Sequence, residues 1–137
     1  MLLIAVYAGG MSDEEFEQLV SQGINALRPD IRAQLENVAI VVADEPSEQQ
    51  RQELRLDANE DVFGLYEGTP RTERSVEDGY MLPDKITIFR RAILDAYTDP
   101  ADIAQCVENT VWHEVAHHFG LDEEAVRAQE QLRGKEL

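Results

Sequence analysis

Apolar residues Phe16, Leu19, Val20, Ile24 and Leu27 recur at the spacing of one stripe on an amphipathic helix. Just ahead of them, Ser12-Asp13-Glu14-Glu15 has the form of a capping box, in which the Ser12 hydroxyl accepts from a backbone N–H three residues on and Glu15 reaches back. The pattern predicts a helix that Pro29 stops soon after, with its apolar stripe against a sheet. Val38 to Val42, β-branched except for Ala39, reads as a short buried strand. From Asp44 to Asp61 the chain turns polar and acidic. Within that stretch Ser47 to Leu56 could form an exposed helix, but with Leu54 and Leu56 as its main apolar residues it reads as a solvated insertion and not a core element.

Val62 to Tyr66 is a second strand, in which Gly64 marks a bulge or a close approach by another backbone. The Pro- and Gly-containing stretch Thr69 to Leu82 reads as loop, and Lys85 to Arg90 as a third strand. Ala92 to Tyr97 fits a short helix. Asp99 as cap and Pro100 at the first helical position then open a longer one. Along it Ile103, Val107, Val111, Val115 and Phe119 recur every fourth position, while Trp112 and Ala116 add apolar surface on another side. This helix is expected to be largely buried.

Composition changes the picture in three ways. With 137 residues, 43% apolar and 29% charged, the chain has the make-up of one soluble globular domain. A net charge of −16 repels phosphate backbones and anionic lipid, so neither nucleic acid nor membrane is an expected partner. Cys106 is the single cysteine, which excludes an internal disulfide and suits a cytoplasmic location. The apolar opening MLLIAVYAGG lacks a basic start and is short for an export signal; residues 1–10 read as an extra strand or an N-terminal extension ahead of Met11.

The chemistry concentrates in His113-Glu114-Val115-Ala116-His117. Residues four apart on a helix share one face, so the two imidazoles can converge on one ion with Glu114 beside them. Neutral imidazole suits Zn²⁺ or another divalent metal, and a catalytic zinc site uses three protein ligands plus a water. Glu114 is the expected general base for that water. Gly120 can turn the chain back in the left-handed conformation, and Asp122, Glu123 and Glu124 follow, so at least one carboxylate should reach the metal; Glu123 is preferred.

The pentad alone also occurs in unrelated helices. Here it sits on an apolar helix where an imidazole pair and a carboxylate are costly to bury without a purpose, and a glycine stop and carboxylates follow it. His118 points roughly 100° away from His117 and reads as a supporting or core histidine. Cys106 lies roughly 10 Å along the axis from His113, too far for the same ion, and reads as packing.

HEVAHHFGLDEE, with LYEGTPRTERS at Leu65 to Ser75 and LPDKITIFR at Leu82 to Arg90, resembles the small bacterial zincin-like metallopeptidases, or minimal zincins. The resemblance implies an α+β domain over residues 11–132, with a small mixed β-sheet packed against an N-terminal helix and an active-site helix. It also implies His113 and His117 as metal ligands, Glu114 as base, Gly120 as the turn and Glu123 as third ligand. That family often has Asp at the last position, so Asp122 competes with Glu123. Met1, Met11 and Met81 all precede the motif, so there is no methionine turn and this is no metzincin proper.

The expected activity is zinc-dependent hydrolysis of a peptide bond, with an extended peptide or protein substrate added to a sheet edge, for which Val62 to Tyr66 is the candidate. Tyr66, Tyr80 and Arg74 are candidate oxyanion stabilisers, with none preferred. The length leaves little room for a deep cleft. Two rival readings are a non-catalytic metal-binding or regulatory module whose acidic surface recruits a basic partner, and a hydrolase of non-peptide amides.

Overall fold

The computed structural model describes residues 11–68 and 84–121, with Glu124, Ala125 and Ala128. The strand or extension expected at 1–10 and the loop from Thr69 to Leu82 lie outside the described residues. Within them the chain is α+β, with helices α1 (Asp13–Asn25), α2 (Pro29–Arg32), α3 (Glu48–Leu54), α4 (Arg90–Ala96) and α5 (Pro100–His118). The strands are β1 (Val38–Ala43), β2 (Gly64–Glu67) and β3 (Asp84–Phe89). They form one mixed sheet in the order β1-β3-β2, β1 parallel and β2 antiparallel to β3. No helix among the described residues is long and apolar enough to cross a membrane.

The central strand carries the core. Ile86, Ile88 and Phe89 are fully buried, and α5 supplies Ile103, Val107, Val111 and Val115 from its fourfold repeat. Helix α1 begins with the expected capping box, Glu15 N–H donating to the Ser12 hydroxyl and Ser12 N–H to the Glu15 carboxylate. Its stripe, however, packs chiefly on α5 and not on the sheet. The reason is that α5 is apolar on two sides: one lies on the strands and the other receives α1, where Gly23 lets the helices close to within van der Waals distance of Glu108 and Val111.

One further expectation is corrected. Strand β1 is not buried on both faces: it flanks β3, its residues are half-buried or exposed, and Val41 is 39% exposed. The segment after it is an ordered helix, α3, started by a second capping box between Ser47 and Gln50. No residue of α3 is fully buried, in keeping with a place outside the core. It is tied to β2 instead, because the Gln50 side chain donates to the Glu67 carboxylate at 2.8 Å. Arg90 fastens the other end of the sheet, reaching Asp13, Asp44 and the Met11 carbonyl.

Candidate active site

Helix α5 is held at both ends by local chemistry. At its start the Asp99 carboxylate accepts from Ala101 N–H at 2.8 Å, with Pro100 behind it. At its end Gly120 takes φ +86°, Gly120 N–H donates to the His117 carbonyl and Leu121 N–H to that of Ala116. This pair of bonds is the Schellman motif, and it turns the chain back over the last turn of the helix.

The turn also orients a ligand candidate. His117 Nδ1 lies 3.0 Å from the Leu121 carbonyl oxygen, which can only accept, so Nδ1 carries the proton and the lone pair sits on Nε2. His113 is one turn back, its ring centroid 5.0 Å from that of His117 and the planes 68° apart. Both rings are half-buried. With Glu114, Gly120 and Leu121 they line an open cleft of 780 Å³. The remaining lining comes from residues 61–66, from Leu54 of α3, from Tyr97, and from Cys106, Asn109 and Thr110 on the same face of α5.

Glu114 is 8% exposed and held close to β2. A Cβ on Gly64 would come 2.7 Å from Thr110 Cγ2 and 3.2 Å from Glu114 Cγ, so only glycine lets the strand lie on the helix at this point. The close approach expected at Gly64 is therefore real, and it is made mainly by side chains of α5.

Behind the cleft lies a buried polar network. His118 Nδ1 donates to Asp84 Oδ2 at 2.7 Å, and Tyr66 donates its hydroxyl to the same oxygen at 2.7 Å. Asp84 and His118 are each 2% exposed, and the Tyr66 ring meets His118 edge-on. Gly68, at φ +152°, lies against the Asp84 carboxylate, where any Cβ would collide. His118 is thus buried on the core side of the helix, within the expectation of a supporting or core histidine. Tyr66 has its proton directed at Asp84, which removes it from the oxyanion candidates, and Tyr80 and Arg74 lie outside the described residues. Asp84 was missed because nothing local distinguishes a carboxylate at the head of a strand.

Asp122 and Glu123 lie outside the described residues. Among those described, no group of three or more His, Cys, Asp or Glu side chains is complete as a metal cage, so the two histidines are what the described part brings together. Cys106 is buried, its thiol pushed above its ordinary pKa by desolvation, and its sulfur is 4.0 Å from the Thr110 hydroxyl. It packs at the end of the cleft away from the histidines' turn of the helix, as its spacing requires.

A model of the zincin-like metallopeptidase family matches residues 35–132, a span that includes all three strands and the whole of α5. No curated protein matches the sequence. Among solved structures, a conserved hypothetical protein from Thermus thermophilus is similar, with 21% identity, a TM-score of 0.52, and coverage of 90% of this chain and 99% of that one. At that identity the likeness speaks to the fold alone.

Proposed function

Because the chain belongs to the zincin-like metallopeptidase family, we propose that it is a zinc-dependent peptide-bond hydrolase in which His113, His117 and Glu123 hold the metal and Glu114 is the general base. The observation that carries this reading is the shared cleft wall, where two imidazoles with centroids 5.0 Å apart flank a carboxylate in the chain. The donor set fits: neutral imidazole and carboxylate suit Zn²⁺, and one imidazole already has its tautomer set by a backbone carbonyl. A bound divalent ion supplies Lewis-acid chemistry, polarising a carbonyl and making a water acidic enough to deprotonate near neutral pH.

The remaining work falls to the chain. Glu114, packed against Gly64, takes the proton of the attacking water and returns it to the departing amine nitrogen. That packing keeps the carboxylate on the cleft wall without an entropy loss at the moment of reaction. Strand β2 flanks β3 in the sheet and lines the cleft, so an extended peptide would lie along it.

Elemental analysis of the purified chain beside His113→Ala comes first, followed by a peptide-library screen of wild type beside Glu114→Gln. Near-stoichiometric zinc that is lost in His113→Ala, with cleavage reduced on the order of 100-fold or more in Glu114→Gln at unchanged zinc, supports the reading. Zinc without turnover points to the binding module. No uptake at micromolar zinc removes the metal altogether.

A further inference from the structure

Among the described residues, the large apolar side chains most open to solvent are Val41, Phe63 and Tyr97. Two of these sit together: Phe63, 36% exposed, and Tyr97, 38% exposed, have ring centroids 6.3 Å apart and both line the cleft. They come from segments 34 positions apart in sequence, one leading into β2 and the other closing α4. Leu54, Val62 and Asp61 line the same cleft. Exposed aromatic rings paired on a concave wall lose water cheaply when a third apolar group covers them.

The position of the pair along the cleft follows from the packing. Gly64 lies against Thr110 and Glu114, while Tyr66, two residues on, meets His118, so β2 runs alongside α5 in the same direction. Phe63 and Val62 therefore fall toward the N-terminal half of α5, where Tyr97 also lies just ahead of the Asp99 cap. From the His113–His117 turn to Cys106 and Asn109 is roughly 11 Å along a helix, the length of about three residues of extended peptide.

We propose that Phe63 and Tyr97 form a side-chain subsite that selects cationic peptides carrying a large apolar or aromatic residue about three positions from the bond cut. This rests on the peptidase reading above. The occupant is an extended peptide with Lys or Arg beside the apolar residue, because the chain carries a net charge of −16 and Asp61, next to Val62 in the chain, lines the same cleft.

The test uses the full zinc-supplemented chain and decapeptides of Lys, Ser and Gly in which a single Phe is moved one position at a time. Cut positions are mapped by mass spectrometry, and binding to Glu114→Gln is followed by fluorescence polarisation. Cuts at a constant offset of about three residues from Phe are expected. Binding should weaken roughly tenfold when the peptide Phe becomes Ala, and equally when Phe63→Ala is introduced into Glu114→Gln. Phe63→Ala/Tyr97→Ala should show no Phe preference while matching wild type in zinc content and melting temperature; Phe63→Leu, a milder change, should keep most of it. A preference that survives the double variant, a random offset, or equal binding of Glu-for-Lys peptides overturns the proposal. Cleavage without any Phe preference sinks the subsite and leaves the peptidase reading intact. Phe-dependent binding to Glu114→Gln without cleavage by wild type does the reverse.

Discussion

On one side of the last turns of α5, His113 and His117 stand half-exposed on an open cleft; on the other, one residue along, His118 is sealed against Asp84 and Tyr66. The same side chain serves opposite ends. On the cleft side the Leu121 carbonyl orients His117, and the ring is only half-buried. On the sealed side a carboxylate and an imidazole have lost nearly all their water, and their mutual bond and the tyrosine hydroxyl compensate. The histidines proposed as metal ligands are left partly solvated, and the Asp84–His118 pair behind them is enclosed and hydrogen-bonded.

That comparison separates metal binding from stability, and substitutions can break it. The largest effect expected is on the open side: His117→Ala should weaken zinc binding by more than the roughly 100-fold typical of losing an outer partner, yet leave the metal-free melting temperature within a few degrees. Competition with a zinc indicator, beside calorimetry of the metal-free protein, measures both. On the sealed side Asp84→Ala should do the opposite, lowering stability in urea by about 3–5 kcal/mol because His118 and Tyr66 lose a buried partner. If it abolished zinc binding while stability stayed high, the division would fail.

Gly64→Ala tests the seam between the two regions. Its Cβ would press on Thr110 and Glu114, so a loss of about 1–3 kcal/mol should be accompanied by reduced turnover at unchanged zinc content. Tyr66→Phe removes one hydrogen bond and no packing; about 1 kcal/mol in urea denaturation, with zinc affinity unaltered, is expected. The smallest effect concerns Cys106, whose thiol is raised by burial. The unfolded chain then loses that proton first, so its contribution is constant below the thiol's ordinary pKa and falls as pH rises through it. Labelling with iodoacetamide at pH 8 should be slow in the folded chain and fast in urea; fast labelling when folded would show the site to be open.

Much of this architecture is legible in the chain because it is local. The capping boxes at Ser12 and Ser47, the Asp99-Pro100 start and the Gly120 stop each need only neighbours a few residues away, and all four form as their residue types require. Around Ser47-Glu48-Gln49-Gln50 the scarcity of apolar residues argued for a place outside the core, and α3 has one: a helix secured by its cap and by Gln50 to Glu67 needs no buried face. Strand β1 misled, since a run β-branched at all positions but Ala39 fits a half-covered flanking strand as well as a buried one.

The sequence by itself determined the order of the three strands and of α1, α4 and α5, and the turn of helix on which His113, Glu114 and His117 come together, because helical geometry converts a spacing of four into proximity. Only the tertiary structure decided that Asp84 meets His118, that Gly64 admits Glu114, and that Phe63 joins Tyr97 on one wall. These contacts join residues tens of positions apart, and no periodicity records them. They follow from how α5 lies across β2 and β3, which the summed burial of the whole core sets and no short stretch of sequence specifies.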